Sequence, residues 1–257
     1  MSIKFYMNKA SGIEIISIEA SNEHYKSHNH TLHYVIGFMV KGEIRLEKGT
    51  KTYTLEAQDT FVIEPDQKHA IKALKSFTLI AFSIEETFFN TYPVEEAKKI
   101  VHQMKQWPKL MDLLMNVNME RILNHIEAIY RLQNTNPATH KKRELDHVKV
   151  LICDHATKPL SLDNLAESAF LSKFHFVKKF SAEFGLTPHN FKIQRQIRMA
   201  QKQLLETKSI SEVAANMGFF DQSHFTKYFK KILKLTPTDY KHACIELEVL
   251  DSKPEQA

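Results

Sequence analysis

Cysteine is scarce. Cys153 and Cys244 are the only two in 257 residues, and they form no CxxC pair. That excludes a disulfide-stapled secreted domain, and two thiols among apolar neighbours read as reduced core positions. No apolar run approaches the roughly 20 residues of a bilayer-spanning helix. The opening Met1-Ser2-Ile3-Lys4 lacks the apolar stretch of a secretory leader. The expected location is therefore the cytoplasm, with no membrane partner. A nucleophile motif and a glycine-rich phosphate loop are also missing, so no enzyme class is indicated.

Charge of one sign is not in excess over the whole chain, whose net is +5, but it is unevenly spread. Residues 1–144 carry 19 Lys+Arg against 17 Asp+Glu, residues 145–244 carry 15 against 9, and the tail 245–257 carries 1 against 4. The basic excess sits in the C-terminal hundred residues and points to a polyanionic partner there.

The pattern predicts an α+β chain of two domains. Ile13–Ile18, Tyr34–Val40, Glu43–Glu47, Lys51–Leu55, Thr60–Ile63 and Phe77–Ile84 read as short strands, with turns at Gly42 and Gly49. Closely spaced strands suggest an antiparallel barrel or jelly roll over 1–85. Over 86–133 the spacing becomes helical: Leu110, Leu113, Leu114 and Val117, then Ile122, Leu123, Ile126 and Ile129. Such stripes either cover the chain's own barrel or pair with a second subunit. The expectation carried forward is a homodimer formed through this region. Residues 134–143 read as a polar linker, and 144–245 as an all-helical domain.

That domain contains a duplication. Ser161-Leu162-Asp163-Asn164-Leu165-Ala166 returns as Ser209-Ile210-Ser211-Glu212-Val213-Ala214 at an offset of 48. Phe176…Phe180 returns as Phe225…Phe229 at 49, as does Thr187-Pro188 as Thr236-Pro237. One extra residue therefore lies in the turn of the second copy. Each copy reads as a helix-turn-helix. Ser161 and Ser209 suit N-caps, Ser209 with Glu212 a capping box, and Ser172 and Asp221 cap the second helices. Phenylalanines four apart make the buried stripe of each second helix. Phe174, Val177, Lys178 and Ser181, and in the second copy Ser223, Thr226, Lys227 and Lys230, point away from it. Polar, basic and methyl-bearing groups on such a face suit base edges and phosphates. Pro188–Glu206 reads as a rigid connecting helix. It would set two reading helices one turn of B-DNA apart, roughly 34 Å.

Over about 145–242 the chain resembles the AraC/XylS family of transcription regulators. The resemblance rests on Ser161–Ala166, Leu171-Ser172…Phe176…Phe180, Thr187-Pro188 with Phe191, and Ala200…Leu204-Leu205. It continues through Ser211–Ala214, Gly218-Phe219, Gln222-Ser223-His224-Phe225…Phe229-Lys230-Lys231 and Thr236-Pro237…Tyr240-Lys241. It implies a sequence-specific regulator of double-stranded DNA, with RNA polymerase as a further partner. Base-reading roles fall on Phe174, Val177 and Lys178, and on Gln222, Ser223, Thr226 and Lys227, with Lys230 on phosphate. The family often has Arg where Lys178, Lys227 and Gln196 stand, and lysine is the poorer bidentate reader. The first half more loosely resembles that family's cupin-like sensing domains, through His28-Asn29-His30…Tyr34–Gly37, Gly42 and Asp59…Pro65–His69.

Histidines form the other candidate site. His28 and His30 are two apart, so on a strand they share a face, and His69 follows a later strand. Metal cupins use such a set with a Glu; here Tyr34 stands at that place. His28, His30, Tyr34 and His69 are the expected effector site, for a small molecule or for a transition metal, Zn²⁺ or Ni²⁺, on the three imidazoles. Two other functions stay open: a cupin-type metalloenzyme fused to a DNA-binding module, and a DNA binder that responds to no effector.

Overall fold

A computed structural model describes residues 2–8, 11–135, 143–207 and 209–247. The chain divides into two units. The first comprises 1–65, 69–135 and 244–257; the second comprises 66–68 and 136–243. Most of the expected linker, residues 136–142, lies outside the described residues. No helix among the described residues is long and apolar enough to cross a membrane.

The first unit is built from two sheets and a helical layer. Strands β1 (Ser2–Asn8), β2 (Glu14–Ser21), β4 (His33–Lys41), β7 (Thr60–Ile63), β9 (Phe77–Glu85) and β10 (Cys244–Leu247) form one sheet, in the order β10-β1-β2-β9-β4-β7. Strands β3 (Tyr25–His28), β5 (Glu43–Lys48), β6 (Lys51–Glu56) and β8 (His69–Ala73) form the other, in the order β3-β8-β5-β6. Pairing is antiparallel except between β1 and β10. Gly42 makes the β4–β5 turn with φ +84, and a Cβ there would lie 2.1 Å from the Ser76 carbonyl oxygen. Only glycine fits both demands.

The larger sheet is buried on both faces, which is why β4 and β9 read as nearly unbroken apolar runs. Val35, Met39, Leu79 and Ala81 face Ile44, Leu46 and Ile71 of the smaller sheet. Tyr34, Ile36, Phe38, Ile80, Phe82 and Ile84 face helices. Those helices are α1 (Glu86–Thr91), α2 (Val94–Gln103), α3 (Pro108–Leu114) and α4 (Met119–Thr135), with a 3-10 turn at Met104–Gln106. This settles the use of the 86–133 stripe. Leu110, Leu114, Val117, Ile122, Ile126 and Ile129 are buried against the chain's own sheet, and Leu113 and Leu123 pack on the same cluster. They are therefore spent inside the protomer, a correction to their expected role as a subunit contact.

The second unit is helical: α5 (Asp146–Asp154), α6 (Leu162–Ser168), α7 (Lys173–Phe184), α8 (Pro188–Glu206), α9 (Ile210–Asn216), α10 (Gln222–Leu233) and α11 (Pro237–Ala243). Leu145, Val148 and Ile152 pack with Leu165, Ala166, Phe176, Phe180, Phe184 and Phe191 in one core. In the second copy Phe219, Phe225, Phe229 and Tyr240 form a chain of ring contacts. Burial pushes the Cys153 thiol up to about 11, so it stays protonated and unreactive. Cys244, expected to end a helical domain, instead opens β10 beside β1.

Candidate nucleic-acid interface and effector site

Each helix-turn-helix is assembled by local rules that its sequence states. Ser161 accepts from the Asp163 N–H at 3.2 Å, Ser209 from Glu212 at 3.2 Å, and Asp221 from His224 at 2.7 Å. These acceptors satisfy donors that a helix start otherwise leaves open. Ser172 departs from expectation: its hydroxyl pairs with Nδ1 of His175 at 3.0 Å and makes no backbone cap. The capping box at Ser209 is half-formed, because the Glu212 carboxylate accepts from the Thr207 hydroxyl at 3.1 Å instead. The turns then match. Leu171 N–H donates to the Ala166 carbonyl and Phe219 N–H to the Ala214 carbonyl, each at 3.0 Å. Phe170 and Gly218 both hold left-handed backbone, φ +54 and +75. The extra residue of the second copy is therefore Phe220.

Connector α8 spans 19 residues, about 28 Å at the helical rise. Gln196, where the family often has arginine, is buried on it and donates to the Met217 carbonyl at 2.6 Å. It thus ties the connector to the second turn rather than reaching a ligand.

Of the expected readers, Phe174, Lys178, Gln222, Ser223, Lys227 and Lys230 are exposed, while Val177 and Thr226 are half-buried. Val177 packs in part on the first copy's core. The Ser181 hydroxyl is buried, so that residue does not present it on the outer face. The sequence reading passed over Phe170 and Phe220, whose rings are 96% and 94% exposed. Aligning the turns at the offset of 48 sets Phe170 opposite Gly218, and that was the available signal.

In the first unit, β3 and β8 pair with His28 directly opposite His69. The His28 and His69 ring centroids lie 4.2 Å apart, and those of His30 lie 5.1 and 5.0 Å from them. One ligand nitrogen from each of the three falls within 4.8 Å of the others. His69 is buried and the other two are half-buried. The reason differs in part from the sequence argument: β3 ends at His28, and His30 comes from the following loop. His28 Nδ1 lies 2.8 Å from the Lys26 carbonyl, an acceptor only, which places a ring proton on Nδ1. Lys48 is cross-strand from His69 and donates to the Val62 carbonyl at 3.1 Å. Tyr34 is not brought to this cluster. Its ring contacts Phe89 at 5.1 Å on the helix-facing side of the larger sheet. Alternation along β4 sends Tyr34 to the face opposite Val35.

Tandem helix-turn-helix copies in one unit, with a two-sheet sensing fold in the other, define a DNA-binding transcription regulator with a ligand-binding domain. The chain belongs to the AraC family of regulators: the family model for the AraC-like ligand binding domain matches residues 11–145, and that for a helix-turn-helix domain matches 165–243. It is 27% identical to the HTH-type transcriptional regulator YfiF of Bacillus subtilis, over 85% of this chain and 80% of that protein. It is also 27% identical to the regulatory protein SoxS of Escherichia coli, over 38% of this chain and 98% of that one. ToxT of Vibrio cholerae has the same fold. Its apo structure gives a TM-score of 0.59 at 13% identity, covering 92% of this chain and 99% of that one. ToxT has also been solved bound to an unsaturated fatty acid, at a TM-score of 0.56 and 13% identity.

Proposed function

We propose that the regulator is metal-responsive, with His28, His30 and His69 holding one divalent transition ion whose binding changes operator affinity. The observation that carries this is the convergence of three imidazole nitrogens within 4.8 Å. The cluster contains no carboxylate or thiolate among the described residues, and an all-nitrogen set suits Zn²⁺ or Ni²⁺ over Ca²⁺ or Mg²⁺. The His28 Nδ1 contact with a carbonyl is the outer support that metal-binding histidines use. Three protein ligands leave a position for water or an anionic group.

In this reading the chain is a regulator and not an enzyme, and it acts in the cytoplasm. Phe174, Val177, Lys178, Gln222, Ser223, Thr226 and Lys227 read bases, Lys230 contacts phosphate, and RNA polymerase is the partner at promoters. The chain works as a homodimer. Since the Leu110/Leu114 stripe is internal, the exposed Met111 of α3, Met115 at its C-cap and Leu132 of α4 are the large apolar groups of this region left for that contact.

The test uses the untagged full-length chain after chelation, with a duplex selected from random DNA. Equilibrium dialysis against Zn²⁺ and Ni²⁺ is expected to give one ion per chain, lost in His28→Ala and in His69→Ala. Binding should collapse below about pH 6 as the imidazoles protonate. Operator affinity should shift on loading in the parent chain alone. Equal uptake by the parent and both variants would refute the metal site. Histidine-dependent stabilisation by small organic acids, without metal uptake, would instead assign the site to an organic effector.

A further inference from the structure

Each reading helix is entered past a phenylalanine whose ring stands in water, and we propose that Phe170 and Phe220 contact DNA, packing on the apolar parts of the duplex, deoxyribose and thymine methyl groups. The inference rests on the family's DNA-binding function and is independent of the metal reading.

The two turns open on the same structure with different residues on it. Phe170 N–H donates to the Glu167 carbonyl at 2.9 Å, as Gly218 N–H does to Ala215 at 2.9 Å. The residues therefore occupy equivalent places, and both hold left-handed backbone. Glycine takes that conformation freely, whereas a phenylalanine there is strained. At Gly218 glycine is also required by space, because a Cβ would lie 2.4 Å from the Thr157 carbonyl oxygen. At Phe170 the side chain runs outward, 96% exposed, so packing within the chain does not offset the strain. Phe220 comes to the start of the other reading helix by another route. It is the one inserted residue of the second turn, directly before the cap Asp221, and is 94% exposed.

A substitution at a glycine-type position and an insertion thus put the same side chain at the same end of both reading helices. Bare phenyl rings favour cover by another apolar surface. Several observations make that cover DNA. The N-terminal end of a recognition helix is the part that meets base edges. Exposed Lys173 and Phe174 follow Phe170, and exposed Gln222 and Ser223 follow Phe220. The residues from 145 to 244 carry the chain's basic excess. Finally, one exposed ring stands before each of two helices related by an internal duplication, which matches a ligand that repeats its own surface, as B-DNA does turn by turn.

The experiment measures binding of the full chain to its selected duplex by fluorescence anisotropy over a range of salt. Phe170→Gly and Phe220→Ser are each expected to weaken binding about tenfold, as loss of an apolar base or sugar contact should. The salt dependence should not change, because no phosphate contact is removed. Lys230→Ala, by contrast, should lower the slope by about one. Phe170→Gly should melt no lower than the parent, since it relieves a positive φ. Replacing single thymines by deoxyuridine separates the two apolar targets. If a ring covers a methyl, one such change weakens the parent and leaves the variant unaffected; if it covers sugar, the variants alone lose affinity. Unchanged DNA affinity in both phenylalanine variants overturns the proposal. If transcription with purified polymerase then falls while DNA affinity holds, the rings belong to a protein contact instead.

Discussion

Helices α7 and α10 are 12 residues each and bury phenylalanines at matching places, Phe176 and Phe180 in one, Phe225 and Phe229 in the other. Around that shared stripe the copies diverge. The first has an apolar outer face in Phe174 and half-buried Val177; the second presents Gln222, Ser223 and Thr226. Their left-handed positions are exchanged as well. In the turn the first copy has Phe170 and the second Gly218. At the helix end the first copy has Gly185, φ +73, and the second Lys234, φ +65. Duplication thus preserved the packing surface, where every neighbour constrains volume. The outer face and the turn, which water tolerates, were free to specialise.

The largest expected effect tests the shared frame. Phe180→Ala and Phe229→Ala should each cost about 3–5 kcal/mol by urea unfolding, since both side chains are fully buried. A loss confined to one copy would mean that the frames are not equivalent. Gly218→Ala comes next, at about 2–4 kcal/mol, because it adds a left-handed side chain and a backbone clash. A neutral result would remove the asymmetry of the turns. Reading faces should separate by chemistry: Gln222→Ala or Lys227→Ala should cost about 1–3 kcal/mol and relax preference at one base pair in a binding selection. Lys230→Ala should weaken all duplexes alike. Equal sequence-independent losses in all three would contradict the assignment. The smallest effect is Lys234→Gly, which should raise the melting temperature by the equivalent of at most about 1 kcal/mol, making the second helix end like the first.

The helix-turn-helix pair was legible because its determinants are local. Caps, four-residue phenylalanine spacing and the 48/49 offset are all read within a dozen residues. The same approach missed β1, β3, β8 and β10 as strands. Each of these is defined by a partner elsewhere, as Phe5 opposite Cys244 shows. It also misread the cap at Ser172, where a neighbouring histidine ring competed for the hydroxyl. At the effector site, residue types were enough to single out three histidines, yet the parity argument needed His28 and His30 on one strand, and β3 stops at His28.

What the sequence determined alone was the class of the protein: two domains, a basic tandem helix-turn-helix and a strand-rich sensor, because periodicity, capping and charge are properties of short segments. Only the tertiary structure decided which surface each apolar stripe covers. Leu110 to Ile129 could have met a second subunit or the chain's own sheet with equal local propensity, and the choice fell to burial against β2, β4 and β9. The same physics turned Tyr34 away from the histidines. A strand has two faces, and which residue meets which layer is settled by neighbours tens of residues away, not by the residue itself.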